Sequence, residues 1–396
     1  MNLKTSSFKN QVILVILLFT GLSNKPVIAQ NNIRLVVSNS NIKHAGDSVF
    51  VAGNFNDWNP GNPSYKLQEN YGQLYVDLPN MPSGNYEFKF TRGAWNKVAS
   101  NKNGSDVGNN KIALSSDTII SYTIEAWKDD FGPAEKTHTA SSNVSIVDTA
   151  FFMPQLNRHR RIVIYLPENY KKSAKRYPVI YMQDGQNLFD NYTAGFGEWG
   201  IDECLDSLIK KGKKGCIVVG IDNGPKRLNE YNPYTFEQFG NGEGDAYVNF
   251  IVETLKPYID KKFRTMPNKE NTIIAGSSMG GLISYYAMLK HPMVFGKAGV
   301  FSPAFWTADG IKNLTDSLGN KINGLLFFYM GALEGEKYLA DMLNIGDRLA
   351  KVSSSYIYTT IDSEGEHNEQ AWRKWFAEFY EWISADGYNY VIKVSN

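Results

Sequence analysis

Residues 272–275 form an apolar run, and residues 282–289 form a second apolar segment. Between them lies the turn 276–281, which is rich in glycine and serine. A buried strand followed by G-x-S-x-G and a helical pattern is the context of a nucleophile elbow, where glycines two residues to either side of a serine permit a very tight turn. Ser278 has that glycine spacing, whereas Ser277 lacks it. The pattern predicts a strand, a turn that exposes the Ser278 hydroxyl, and a helix whose first N–H groups favour an anion beside it.

Composition and charge limit the partners. The chain has 396 residues, of which 42% are hydrophobic, and 41 Lys and Arg oppose 40 Asp and Glu. This content suffices for one large core and a smaller one, so we expect two domains. The net charge of +1 gives no electrostatic reason to expect nucleic acid or an anionic membrane, and a neutral or small partner is favoured.

The N-terminus has the pattern of an export signal. Lys4 and Lys9 precede the apolar run 12–19, and small residues lead to Ala29. The run is too short to span a bilayer comfortably, and no other segment approaches that length. We predict a signal peptide over residues 1–29 and an exported protein, periplasmic or secreted, without a membrane span after cleavage.

Two cysteines, Cys204 and Cys216, each lie in an apolar pattern. An oxidising compartment would permit a disulfide between them. A buried free cysteine behaves as a small hydrophobe, so we favour two unpaired thiols and keep the disulfide as the alternative. Neither cysteine has a partner at zinc spacing, and no metal site is predicted.

Two hydrophobic patterns divide the chain. In residues 30–127, short alternating runs separated by Gly, Pro, Asn and Asp indicate a β-sandwich, and residues 128–145 have the composition of a linker. In residues 146–396, buried-strand runs alternate with helical patterns, which indicates an α/β domain with a parallel sheet. The sandwich strands are predicted at 48–53, 74–78, 86–90 and 119–124. The α/β strands are predicted at 161–166, 178–182, 216–221, 272–276, 298–301, 325–330 and 356–361, and the helices at 200–211, 245–262, 278–290, 338–352 and 368–384.

A serine hydroxyl needs a base, and histidine suits neutral pH. In parallel sheets the chemistry collects at the carboxyl ends of the strands. His367 lies immediately after the last predicted strand and before the last helix, where its loop can return over Ser278. His291 ends the helix after Ser278, and we interpret it as a cap in its charged form. The remaining histidines are not well placed, since His44 falls in the predicted sandwich, His138 in the predicted linker, and His159 before the first predicted α/β strand.

The third member of a triad should orient the imidazole, and by chain order it lies between the serine and the histidine. Glu334 follows the predicted strand 325–330 and is our first choice. Glu336 and Asp341 stay open as alternatives. The segment is also compatible with a solvated acidic loop.

An oxyanion hole needs two N–H donors, one from the residue after the nucleophile and one from the loop after an earlier strand. Met279 supplies the first. Gly185 opens a turn after the predicted strand 178–182, which makes the N–H of Gln186 the second candidate. We interpret Asp184 as a structural residue that stabilises its own loop.

Several segments together resemble the Putative esterase family, which includes esterase D, enterochelin esterases, and feruloyl and acetylxylan esterases. The resemblance spans nearly all of residues 150–385 and rests on 161–167, 177–189, 219–223, 276–281 and 365–368. It implies an α/β-hydrolase fold and acyl-enzyme chemistry without a metal or organic cofactor. It also implies that Ser278 is the nucleophile, His367 the base and Glu334 the acid, at a position that many relatives fill with Asp. Asp184-Gly185 departs from the His-Gly form found in some members.

Residues 49–60, 84–90 and Trp95 are similar to the early-set, immunoglobulin-like glycogen-recognition modules. In those modules exposed tryptophans stack on sugar rings. The resemblance makes Trp58, Lys89 and Trp95 candidate glycan-binding residues. The alternative is that they pack the sandwich or its interface with the second domain.

Further aromatic residues fall on loops at or near strand ends, where an acyl or aryl pocket would form. Trp199, Tyr231 and Trp306 are therefore predicted substrate-binding residues, with Trp306 favoured because its loop follows the strand after the nucleophile. Together these patterns predict an exported serine carboxylic ester hydrolase. The two resemblances imply that its substrates are feruloyl or acetyl esters linked to carbohydrate. The alternatives are a siderophore esterase of enterochelin type and a non-catalytic glycan-binding protein.

Overall fold

The structure, a computed structural model, describes residues 30–39, 44, 46–131, 136–385 and 391–395. The predicted signal peptide and residues 132–135 of the predicted linker lie outside the described residues. Among the described residues, no helix is long and apolar enough to cross a membrane.

The N-terminal part is all-β. Its main sheets have the orders β3-β4-β1-β8 and β2-β5-β7, and β6 pairs with β9. Its strands are β1 (Gln30–Asn39), β2 (Phe50–Gly53), β3 (Gln68–Asn70), β4 (Gln73–Pro82), β5 (Gly84–Thr91), β6 (Ala99–Ser100), β7 (Asn110–Leu114), β8 (Thr118–Ile124) and β9 (Ala126–Trp127). Alternate residues of β1, such as Leu35, are buried, and they share one apolar core with Phe88 and Phe90 of the other sheet. This shared core makes the two sheets a sandwich.

The C-terminal part contains a nine-stranded sheet with the order β10-β11-β13-β12-β14-β15-β16-β17-β18. The strands are β10 (Val144–Met153), β11 (Arg158–Tyr165), β12 (Val179–Gln183), β13 (Ile217–Ile221), β14 (Thr272–Ser277), β15 (Lys297–Phe301), β16 (Leu325–Gly331), β17 (Tyr356–Asp362) and β18 (Val391–Ser395). The pairings of β10 with β11 and of β11 with β13 are antiparallel, and all the others are parallel. The loops after β12, β14, β15 and β16 therefore leave the sheet along one edge.

Helices cover both faces of this sheet. They are α1 (Ile201–Lys210), α2 (Arg227–Glu230), α3 (Gly244–Asn249), α4 (Lys256–Lys262), α5 (Met279–Lys290), α6 (Gly310–Leu318), α7 (Glu336–Val352) and α8 (Glu369–Ile383). α5 is buried along its length except at Lys290, as its apolar composition on all sides requires. It shares a core with α4 and α7 on one face, whereas α1 and α8 pack on the other. The predicted α/β fold with an N-terminal β-sandwich is confirmed.

Most predicted strands and helices lie within three residues of the observed elements, and three of the differences have a physical reason. β10 was not predicted because its pairing with β11 has two register irregularities that interrupt the alternation of its side chains. β11 begins earlier than predicted because Arg158 and Arg160 occupy strand positions, where carboxylates of Glu230 and Glu243 neutralise them. The predicted helix 245–262 contains a π-helical segment, Phe250–Leu255, between α3 and α4.

The favoured interpretation of the cysteines is confirmed, since both are free thiols. Burial raises the pKa of Cys204 to about 11 and that of Cys216 to about 12. Neither thiol is a reactive thiolate at neutral pH.

We expect the buried ion pair of Arg160 and Glu230 to stabilise the folded protein. The guanidinium Nη2 lies 2.6 and 2.7 Å from the two carboxylate oxygens, and Glu230 is fully buried. Because Glu230→Ala leaves a buried charge uncompensated, we expect a loss of about 3–5 kcal/mol in the free energy of unfolding. Chemical denaturation measures it.

Glu381→Ala is the matched control, because its ion pair with Lys213 is exposed. An exposed pair contributes less than about 1 kcal/mol. Equal losses for the two variants would contradict the stabilising role of the buried pair.

Candidate active site

The turn between β14 and α5 has the strain expected of an elbow. Ser278 has φ 57° and ψ −123°, a conformation that non-glycine residues rarely adopt. A Cβ at Gly276 would lie 2.8 Å from the carbonyl group of Gly280, so the chain passes too close to itself for a side chain there. The glycine spacing seen in the sequence is therefore a steric requirement of this turn.

The segment after β15 holds the backbone of Ser278 in place. The Ser278 N–H donates to the Phe301 carbonyl at 2.9 Å, and the Ala304 N–H donates to the Ser278 carbonyl at 3.1 Å. Between these two residues lies Ser302, itself at a positive φ of 42°. The serine turn and the segment 301–304 thus form one hydrogen-bonded unit.

The structure brings His367 and Glu334 into direct contact. The imidazole Nδ1 lies 2.6 Å from Glu334 Oε2, and the carboxylate is almost fully buried, whereas the imidazole is 42% exposed. An ionised carboxylate accepts only, so Nδ1 carries the proton and Nε2 is the basic nitrogen. Of the other candidate acids, Glu336 is exposed, and Asp341 forms an ion pair with Lys312 at 2.9 Å.

Two residues that sequence reasoning did not identify complete the environment of Glu334. Its Oε1 accepts from the Ser302 hydroxyl at 2.6 Å and from the Gly331 N–H at 2.8 Å. The indole N–H of Trp372 in turn donates to the Ser302 oxygen at 2.8 Å, and its ring meets the imidazole of His367 edge-on at 5.1 Å. Ser302 therefore links the carboxylate to the segment that holds Ser278. No local signal marks either residue, since Trp372 has the pattern of a core aromatic and Ser302 that of a loop serine.

The loops after β16 and β17 pack backbone against backbone. The Leu333 N–H donates to the Gly365 carbonyl at 3.1 Å, and a Cβ at Gly331 would clash with the backbone of Gly365. This approach sets the separation of the loops that carry Glu334 and His367.

The loop after β12 lies against the elbow. A Cβ placed on Gly280 would be 3.0 Å from Gln183 Cβ and 3.4 Å from Asp184 Oδ2. Gln186 sits in the short helical turn Gly185–Asn187, and its side-chain oxygen accepts from the Asn223 N–H at 3.0 Å. Met279 is the first residue of α5, where the N–H has no partner within the helix. The roles of Met279 and Gln186 as oxyanion donors stay predictions.

Asp184 is buried at a φ of 55°. The Arg227 guanidinium binds both of its carboxylate oxygens at 2.7 and 2.8 Å, and the Asn223 amide donates at 2.6 Å. This geometry agrees with a structural role. The partner Arg227, rather than the loop itself, satisfies the carboxylate.

Two of the three predicted pocket aromatics are core residues. Trp199 is 2% exposed and stacks on Trp372 at 5.6 Å, and Tyr231 is fully buried, with its hydroxyl accepting from the Asp184 N–H. Their burial leaves no ring face for a substrate, which corrects the expectation from their loop positions. Trp306 is half-buried, and its ring lies 5.9 Å from that of Tyr338.

The candidate glycan-binding residues lie on the sandwich. Trp58 and Trp95 are half-buried and form a pair with ring centroids 6.3 Å apart. Lys89 forms an ion pair with Asp106 at 2.9 Å. These observations do not test glycan binding, which stays a prediction.

The other histidines make contacts of their own. His44 contacts Asp130 at 2.6 Å and His138 contacts Asp190 at 2.8 Å. His291 follows α5 as its C-terminal cap, as predicted. Burial lowers its pKa, which disfavours the charged form that we expected at a helix terminus. Within the part of the chain that the structure describes, no group of three or more His, Cys, Asp or Glu side chains could hold a metal ion.

Known proteins resemble this chain in sequence. The uncharacterized protein YbbA of Bacillus subtilis is 26% identical over 242 residues, which cover 57% of this chain and 92% of that protein. The endo-1,4-beta-xylanase/feruloyl esterase of Xylanibacter ruminicola is 29% identical over 173 residues, 43% of this chain but only 23% of that protein.

The fold has a counterpart among solved structures. The crystal structure of BES protein from Bacillus cereus matches 64% of this chain and 100% of its own, with a TM-score of 0.52 and 20% identity. The sequence model of the family described as Putative esterase matches residues 154–382, more than half of the chain. The chain therefore belongs to the Putative esterase family.

Proposed function

We propose that this protein is a serine carboxylic ester hydrolase that works through an acyl-enzyme. The observation that carries the proposal is the 2.6 Å contact between His367 Nδ1 and the buried carboxylate of Glu334. The segment 301–304 contacts both this carboxylate and the backbone of Ser278. A base held by a buried acid beside a strained serine turn is the arrangement that activates a hydroxyl nucleophile.

In the proposed reaction, Ser278 Oγ attacks the ester carbonyl while His367 Nε2 accepts its proton. Glu334 stabilises the imidazolium, and the N–H groups of Met279 and Gln186 donate to the tetrahedral oxyanion. Collapse expels the alcohol, which takes the proton from His367. A water then gives a proton to His367 and attacks the acyl-enzyme; collapse releases the acid, and Ser278 Oγ takes the proton back from His367. These steps need no metal or organic cofactor.

For the substrate, we propose an acyl ester linked to carbohydrate, with a feruloyl or acetyl group. Aromatic rings extend from the loop after β15 to the sandwich. Trp306 lies 5.9 Å from Tyr338, whose hydroxyl donates to Asp57 at 3.4 Å, and the next residue, Trp58, pairs with Trp95. Aromatic faces suit both a pyranose and an aryl acid. The resemblance to an endo-1,4-beta-xylanase/feruloyl esterase supports the same class.

Export is part of the proposal. Its support is the charged and apolar pattern of residues 1–29. An extracytoplasmic location would give the enzyme access to polymeric carbohydrate.

Ser278→Ala tests the reaction. We expect ester hydrolysis to fall by roughly 10³-fold or more, because the covalent step is lost. A serine-directed phosphonate should label the wild type at this residue and leave the folded variant unlabelled. Ser277→Ala is the neighbouring control. Full activity in Ser278→Ala would contradict the nucleophile, and an intact protein that is neither labelled nor active would favour a glycan-binding protein.

Glu334→Gln tests the acid. The amide keeps the shape but cannot balance an imidazolium, so we expect kcat to fall by about 10²- to 10⁴-fold. Glu336→Gln, two residues away and exposed, should keep wild-type kcat. Steady-state kinetics on one activated ester measures both variants, and the reverse ranking would transfer the role to Glu336.

Trp58→Ala and Trp306→Ala test the aromatic contacts with carbohydrate. We expect KM for feruloylated xylan fragments to rise roughly threefold to tenfold in each, the equivalent of one lost aromatic contact, with little change for methyl ferulate. Tyr71→Ala is the control, because Tyr71 is a fully exposed aromatic elsewhere on the sandwich. Cleavage of a tricatecholate lactone without release of acid from acylated xylan would favour the siderophore ester instead.

A further inference from the structure

The sandwich contacts the helix that follows the proposed acid and the loop that carries the proposed base. On the side of the acid, the Tyr338 hydroxyl of α7 donates to Asp57 of the sandwich at 3.4 Å. On the side of the base, Lys111 Nζ of β7 lies 3.0 Å from Glu366 Oε1. Glu366 immediately precedes His367 in the chain. The ammonium of Lys111 in the sandwich therefore contacts the residue next to the proposed base in the α/β domain.

Lys111 also contacts a carboxylate of its own domain. It is the cross-strand partner of Glu87 in β5, and its Nζ lies 3.5 Å from the buried Glu87 carboxylate. Asn109 holds the other carboxylate oxygen of Glu87 at 2.9 Å. Burial lowers the pKa of Lys111, but the hydrogen bond to Glu366 and the charge of Glu87 together raise it, so the ammonium stays charged.

Glu366 is equally constrained on the side of the catalytic loop. Its Oε2 accepts from the Asn368 side chain at 3.3 Å, and its carbonyl accepts from the Asn368 N–H at 2.9 Å. Asn368 in turn caps α8, with its side chain accepting from the Ala371 N–H at 2.9 Å. The backbone of His367 is therefore fixed between a helix cap and a residue that the sandwich holds.

We propose that Lys111 is a positioning residue, through which the N-terminal sandwich holds Glu366 and so keeps the His367 imidazole in place. The inference rests on the proposed role of His367 as general base. The imidazole is 42% exposed, and Glu334 fixes only its Nδ1. The direction of Nε2 then depends on the backbone of the loop, and a small displacement of a catalytic group lowers kcat steeply.

Lys111→Met removes the charge and keeps the length of the side chain. With 4-nitrophenyl acetate, an ester without a sugar, we expect kcat to fall roughly tenfold with KM unchanged, because geometry rather than substrate binding is lost. Lys111→Arg should restore most of kcat. Glu366→Gln should show the same loss, and the double variant should lose no more than either single one, because both changes break one interaction.

Arg34→Met is the matched control, because Arg34 forms an exposed ion pair with Asp77 within the same sandwich. Wild-type kcat in Lys111→Met would overturn the proposal, as would a loss that Lys111→Arg does not restore or losses that add in the double variant. Ser278→Ala on the same ester separates the two claims: if it abolishes hydrolysis while Lys111→Met does not change it, the proposed function stands and the positioning role fails. A wild-type protein that cleaves no ester would contradict both.

Discussion

The proposed catalytic centre depends on one buried carboxylate. Glu334 is buried, and donors offset the cost of its burial: Ser302 and the Gly331 N–H on one oxygen and His367 on the other. Each donor comes from a different strand end, so satisfying the charge also brings together the loops after β15, β16 and β17. The same hydrogen bonds that offset the desolvation of Glu334 therefore set the geometry of the site.

The serine turn is the second constraint, and it connects to the first. Ser278 holds a backbone conformation that costs on the order of 1–3 kcal/mol and persists only where surrounding structure imposes it. Here the surroundings are the hydrogen bonds to Phe301 and Ala304, which flank Ser302. One short segment after β15 thus stabilises both the strained serine turn and the buried acid, and Trp306 follows this segment in the same loop.

The sandwich contributes contacts near the proposed site that the α/β fold alone does not contain. Asp57 contacts α7, which follows the proposed acid, and Lys111 contacts the loop that carries the proposed base; both contacts are polar. Polar, partly exposed contacts contribute little to stability. Their placement close to Glu334 and His367 suits the control of geometry, and the paired rings of Trp58 and Trp95 lie next to Asp57 on the sandwich.

The sequence by itself predicted most strands of the α/β part, the elbow at Ser278, and the loop positions of Glu334 and His367, because apolar periodicity and turn chemistry are local properties. It left Glu334, Glu336 and Asp341 as alternatives, since all three lie within one short stretch after the same strand. Only the tertiary structure decided which carboxylate meets the imidazole, that Trp199 and Tyr231 are core residues, and that Ser302, Trp372 and Lys111 surround the site. These contacts join residues from distant parts of the chain, so they depend on strand order and on the close approach of Gly331 to Gly365, which no local pattern encodes.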